Sequence, residues 1–222
     1  MDDLTIIFSQ RKIKKNYRSI TGHFPSIKNN TSLSFESKLE KAHFLSLEFD
    51  NEVIFYQEQP QIEIFFNGKN QIYSADCYIK RVKNSSKKDS IVEVKYTNEI
   101  EKKKEYFQKR FESAKISANK LNFDFEVYTE KNHSETYLDN LDFLYRYKLY
   151  PIENKYEKQI IDFVKEKKRI LAFDLANLIS QDPIEYAIIS NCIWDLVCKE
   201  KLKSDLELAK INMNSLVELA YE

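Results

Sequence analysis

Two short apolar and aromatic runs joined by a polar loop constrain this chain more than any other feature. The first is Ile72-Tyr-Ser-Ala-Asp76-Cys-Tyr-Ile-Lys-Arg81. The second is Ser90-Ile-Val-Glu93-Val-Lys95-Tyr96, and Val82 to Asp89 between them reads as a turn. Each run alternates well enough to form a β-strand. Side chains on a strand alternate faces, so Glu93 and Lys95 are expected on one face, with Val92 and Val94 directed into a core on the other. If the strands pair as a hairpin, Asp76 lies beside Glu93. Two carboxylates and an ammonium then form one cluster.

Such a cluster has a chemical use. Neighbouring carboxylates repel, and a divalent cation relieves the repulsion. Mg²⁺ prefers oxygen ligands and keeps several waters. One or two such ions orient a water and stabilise a leaving oxygen in phosphodiester hydrolysis. A lysine holds that water or the phosphate as a point charge. The bland alternative is an ion pair on a solvated strand face, since Glu-x-Lys arises by chance in a chain that is 32% charged. The pattern Asp…Glu-x-Lys resembles the core of the PD-(D/E)xK nucleases.

At 222 residues, with 42% hydrophobic, the chain suits one or two domains with a core. The formal net charge is zero, so any contact with nucleic acid must come from local patches. Only 2 glycines are present, and no Walker or dinucleotide fingerprint. Cys77, Cys192 and Cys198 show no Cys-x-x-Cys spacing, which points to a reduced cytoplasmic protein without structural zinc. His23, His43 and His133 are scattered and read as surface or helix residues. The polar N-terminus lacks the apolar stretch of a signal peptide, and no run approaches a membrane span.

Residues 1–34 read as a basic arm, with Lys12, Lys14, Lys15, Arg18 and Lys28 available to lie along phosphates or simply to solvate a tail. Phe35 to Phe49 reads as a helix, and Ser37-x-x-Glu40 fits a capping box at its start. Strands follow at Val53 to Tyr56 and Ile62 to Phe66, then an Asn67-Gly68 hairpin turn. Asn98 to Leu121 has a helical stripe, and Phe123 to Thr129 a final strand. These elements make an α/β domain over 35–148.

The chain then changes character, and a second domain is expected over 149–222. Helices are expected over Lys155 to Lys168, near Leu175 to Ser180, and from Asp182-Pro183 to Lys199, followed by a strand at Lys201 to Leu206. This order suggests a winged-helix-like helical domain. Its third helix carries few basic residues, which favours protein contact or a scaffold role over DNA reading.

Taken in order, the pieces resemble TnsA, the endonuclease subunit of heteromeric transposases. Gly22-His-Phe-Pro-Ser-Ile-Lys28 is similar to the family's arm. Phe35-Glu-Ser-Lys-Leu-Glu40 with Phe44-Leu-Ser-Leu-Glu-Phe-Asp50 is similar to its first catalytic helix, and Gln57-Glu-Gln-Pro60 to its strand junction. Asp76 and Val92-Glu-Val-Lys95 match its metal site. Leu141 to Tyr147 and Leu202 to Leu206 resemble its linker and C-terminal part. The resemblance departs at Ala75, where the superfamily prefers Pro, and at Cys77, where Phe is usual.

The resemblance implies a restriction-endonuclease-like nuclease core. It implies a catalytic set of Glu40, Asp76, Glu93 and Lys95. Mg²⁺, in two ions and replaceable by Mn²⁺, would bind Glu40, Asp76, Glu93 and the Val94 carbonyl. The substrate would be double-stranded DNA at transposon ends, cut on the 5′ strand. The partners would be a TnsB-like DDE transposase and a TnsC-like AAA+ regulator ATPase, with no membrane involved. A stand-alone restriction or repair nuclease and a catalytically idle binding module are the competing readings.

Overall fold

The computed structural model describes residues 7–8 and 21–221. Lys12, Lys14, Lys15 and Arg18 of the expected arm lie outside the described residues. The chain divides into two compact units, 1–133 and 134–222. Both mix helices and sheets.

In the first unit, β1 (Ile7–Phe8) precedes the hairpin of β2 (Gly22–Ser26) and β3 (Thr31–Phe35). The part of the presumed arm from Gly22 onward is thus ordered structure, with Phe24 and Leu33 buried. At Gly22 a Cβ would stand 2.6 Å from the ring of Phe35, so a larger residue there would have to displace that ring. Helix α1 (Lys38–Phe49) follows, then β4 (Val53–Glu58), β5 (Pro60–Phe66), β6 (Lys69–Ser74), β7 (Cys77–Arg81) and β8 (Ser90–Val94). The expected long helix is two, α2 (Thr97–Lys102) and α3 (Lys104–Lys120), divided at Lys103, whose φ of −130° leaves the helical region. Strand β9 (Asp124–Tyr128) completes the unit.

One sheet has the order β4-β7-β8-β9, antiparallel except for the parallel pair β8 and β9. A second sheet has the order β1-β5-β6. The β5–β6 turn has positive φ at both Asn67 and Gly68, the pairing that tight hairpins demand. Between β4 and β7 the chain crosses to the second sheet and back. It leaves the first at Gln59-Pro60, and returns at Ala75-Asp76. These crossings are bonded to each other: Gln59 N–H donates to the Asp76 carbonyl at 3.1 Å, and Ala75 N–H to the Pro60 carbonyl at 3.0 Å. This explains why Ala75 serves where Pro is usual elsewhere, since proline has no N–H to give. Helix α3 packs Ala114 and Ala118 against Ile62, Ile64, Tyr73 and Ile91.

Strand β8 is buried along its whole length, on both faces. The bland alternative, an ion pair on a solvated strand face, is not what β8 shows. The difference arises because β8 is an inner strand, flanked by β7 and β9.

The second unit holds α4 (Glu135–Leu149), α5 (Glu157–Lys167), β10 (Arg169–Leu171), α6 (Ala172–Ile179), α7 (Pro183–Cys198), β11 (Leu202–Lys203) and β12 (Leu216–Leu219). Its antiparallel sheet runs β10-β12-β11. The unit begins earlier than the expected boundary at 148/149. The cause is α4, which packs against α7. Buried Asn140 on α4 donates to the carbonyls of Leu206 and Ala209 and accepts from Ile211 N–H, fastening the helix to the C-terminal loop. At the start of α7, Asp182 accepts from the N–H groups of Ile184 and Glu185, with Pro183 in the first turn. Among the described residues no helix is long and apolar enough to cross a membrane.

Candidate active site

Asp76 stands at the corner where the chain enters β7. Its backbone N–H donates to the Val92 carbonyl at 3.0 Å. Its carboxylate Oδ2 accepts from Val94 N–H at 2.7 Å. Both bonds reach β8, so the acid is fixed to the strand that carries Glu93. The β7–β8 register, Cys77 opposite Val92, extends back to set Asp76 near Glu93.

Glu93 is only 8% exposed, so its carboxylate is not on a solvated face. The Tyr73 hydroxyl donates to its Oε2 at 2.6 Å. Lys95 Nζ lies 3.5 Å from its Oε1, with both side chains mostly buried. Burial first, then repulsion from Glu93, pushes Asp76 up to about 8, against the pull of the Val94 N–H and Lys95. Burial pulls Lys95 down, but the charges of Glu93 and Asp76 outweigh it and raise its affinity for a proton. The cluster therefore sets a firmly cationic lysine beside an acid, Asp76, that burial and the neighbouring Glu93 hold back from ionising.

Glu40 is differently placed. It lies in the first turn of α1, and its carboxylate is engaged by that helix. Ser37 Oγ–H donates to Oε1 and Glu36 N–H to Oε2, both at 2.9 Å, while Glu40 N–H donates to Ser37 Oγ at 3.1 Å. The Glu40 N–H to Ser37 bond is half of the capping box that the sequence predicts; the return bond from the carboxylate goes to the Glu36 N–H and the Ser37 hydroxyl instead of the Ser37 N–H. Burial raises the pKa of Glu40, and Lys95 is among the charges acting on it. Asp76, Glu93 and Lys95 are thus joined by short contacts or mutual charge, and Glu40 is near enough to be felt but is tied to its helix. Among the described residues, no group of three or more His, Cys, Asp or Glu side chains is set to hold a metal ion.

Two further positions have structural work. Lys28, half-buried, directs its Nζ to the Val53 carbonyl at 2.6 Å and also to the Asp50 carbonyl. Its ammonium joins the end of α1 to β4 rather than reaching out as the expected phosphate contact. His43, on α1, is 4% exposed and stacks on Tyr128 with ring centroids 4.4 Å apart. Neither ring nitrogen has a hydrogen-bond partner among the described residues. Burial pushes its pKa down to about 3.

The sequence reading did not single out Tyr73. The signal was available: Tyr73 falls on the side of an alternating run that is expected to face inward, and a buried tyrosine hydroxyl needs a partner.

A mixed α/β unit with this acid, acid and lysine cluster on adjoining strands has the make-up of a nuclease core. Residues 50–130 match the family model described as TnsA-like endonuclease N terminal. That segment is similar to the TnsA-like family and contains Asp76, Glu93, Val94 and Lys95; Glu40 precedes it and the second unit follows it. No curated protein matches the chain.

Proposed function

We propose that the chain is a Mg²⁺-dependent DNA endonuclease subunit of a heteromeric transposase, cutting the 5′ strand at transposon ends. The observation that carries this reading is the buried Asp76, Glu93 and Lys95 cluster within the segment that matches the TnsA-like family. A solvated ion pair has no need of burial, and burying two neighbouring carboxyl groups opposes folding, a cost that is concentrated at functional sites.

The donors suit a hard cation. Asp76 uses Oδ2 for the Val94 N–H, and its Oδ1 has no hydrogen-bond partner among the described residues. Asp76, Glu93 and the Val94 carbonyl would hold Mg²⁺, in one or two ions, with Mn²⁺ able to substitute and water completing the shell. When bound, the ion supplies charge neutralisation and Lewis acidity at the phosphate. Lys95, kept cationic by both acids, orients the attacking water or a phosphate oxygen. Glu40 joins the set as a further carboxylate, each of its oxygens accepting one hydrogen bond, from Ser37 or the Glu36 N–H, and keeping a lone pair for an ion.

The second unit is read as winged-helix-like, from its order α5, β10, α6, α7, β11, β12. Ile184 on α7 is 74% exposed and Ile188 is also exposed, so this helix offers an apolar face rather than a basic one. Such a face suits a protein partner. The partners in this reading are a TnsB-like DDE transposase and a TnsC-like AAA+ ATPase acting with the chain on double-stranded DNA in the cytoplasm.

The test is strand-specific cleavage of transposon-end DNA in Mg²⁺, with those partners added or withheld. Partner-dependent 5′ cuts by the native chain, lost in Asp76→Ala, are the expected result. Cuts made by the native chain alone would replace this reading with a stand-alone nuclease. Absence of cuts in every mixture, with binding intact, would make the chain an idle module.

A further inference from the structure

We infer that Tyr73 is a positioning residue for Glu93, held in that role by Arg110; the inference rests on the metal-site reading above and deepens it. The Tyr73 side chain is 1% exposed, and its hydroxyl reaches across from β6 in one sheet to β8 in the other. There it donates to Glu93 Oε2 at 2.6 Å. The other oxygen, Oε1, faces Lys95. Tyr73 therefore decides which oxygen of Glu93 is committed to the protein and which is presented to the cluster. Without it, a buried carboxylate oxygen loses its partner and the side chain is free to turn.

Tyr73 is itself held. The Arg110 guanidinium on α3 lies 4.9 Å from the centroid of its ring, and Arg110 Nη1 donates to the Tyr106 hydroxyl at 2.7 Å. A cation over the face of a phenol withdraws electron density and makes its O–H a stronger donor. The order Arg110, Tyr73, Glu93 thus runs from a half-buried helix face to the acid. Tyr73 is also three positions before Asp76 on the same path, so one stretch of chain sets both carboxylates. Partners that orient a metal-binding carboxylate typically contribute about 10–100-fold to metal affinity.

The experiment is Mn²⁺ binding to the full chain, read by the electron paramagnetic resonance of free Mn²⁺, for native protein, Tyr73→Phe, Glu93→Gln and the double variant. Tyr73→Phe is expected to weaken Mn²⁺ binding about 10-fold or more, with cleavage in the partner mixture restored at saturating Mn²⁺. In the Glu93→Gln background the same change is expected to have no further effect, because its influence passes through Glu93. Arg110→Leu, which leaves the hydroxyl in place, is expected to weaken binding by a smaller factor, and keeps the question open to measurement if Tyr73→Phe melts without cooperativity. Native affinity in both Tyr73→Phe and Arg110→Leu overturns the inference, as does an equal loss with and without Glu93. If the native chain binds no Mn²⁺, the metal-site reading itself fails and this inference falls with it.

Discussion

The carboxylate of Asp76 accepts a hydrogen bond from the backbone N–H of Val94 at 2.7 Å, so the acid on one strand is fastened to the backbone between Glu93 and Lys95 on the next. A main-chain donor cannot rotate away as a side chain can. Asp76 is thereby held close to Glu93 even though their charges repel, and the protonation of Asp76 records that constraint.

The first prediction concerns pH. Asp76 is pushed up to about 8 from an ordinary 3.8. Between these values the folded chain keeps a proton that the unfolded chain has lost. Its contribution to stability is complete below the unfolded value and is lost as pH rises through the folded one. Asp76→Asn retains an acceptor for the Val94 N–H and removes the titration. Thermal melts in a chelator at about pH 5 and about pH 8 should show the variant gaining on the native chain at the higher pH, by a few degrees. Parallel behaviour of the two proteins would contradict the origin given for the shift.

Glu40→Gln separates helix capping from any part in the site. Glutamine also serves in a capping box, so stability should change by less than about 0.5 kcal/mol. If Glu40 also meets an ion, Mn²⁺ affinity and cleavage should fall in the same variant. A loss of stability with metal binding unchanged would leave Glu40 a cap alone.

Ala75→Pro restores the residue that the wider superfamily prefers, and here it should harm. The Ala75 N–H that bonds the Pro60 carbonyl would be lost, at a cost on the order of 1–3 kcal/mol. Urea melts measure this; an unchanged midpoint would mean that the bond between the two sheet crossings is dispensable.

Lys28→Met tests a position expected from sequence to touch phosphate. The ammonium bonds the carbonyls of Asp50 and Val53. Its removal should destabilise the chain by on the order of 1–3 kcal/mol and leave the salt dependence of DNA binding unchanged. A shallower salt dependence with normal stability would return Lys28 to the DNA surface.

His43→Phe should protect the chain in acid. Burial pushes His43 down to about 3 from 6.5, so its contribution is complete above 6.5 and is lost as pH falls through the folded value. Phenylalanine keeps a ring against Tyr128 and removes two unpartnered nitrogens. Melts near pH 5 should show a gain on the order of 1 kcal/mol, and a loss there would reveal a partner for the imidazole.

Much of the first unit is legible in the sequence because its signals are local. Strand alternation and the loop from Val82 to Asp89 locate β8 and the later part of the first run as β7, and Asn67-Gly68 fixes a hairpin turn; but the run from Ile72 to Arg81, expected as one strand, is split at Ala75-Asp76 between β6 and β7 of two sheets. Ser37-x-x-Glu40 announces the start of α1. What is not legible depends on distant partners. Nothing near Glu93 in sequence says that β8 is an inner strand, since that follows from β9 joining after two helices. The Tyr73 contact spans two sheets. Helix α4 goes with the second unit because Asn140 bonds a loop some seventy residues away. The break at Lys103 interrupts a stripe whose apolar spacing continues across it.

Asp76, Glu93, Val94, Lys95 and Glu40 all precede His133, where the first unit ends. The bonds described for the acids, from Val94, Tyr73, Ser37 and Glu36, are likewise drawn from that unit. The cluster is therefore portable. The first unit carries its own supports for the acids, and the bonds described for them owe nothing to residues 134–222.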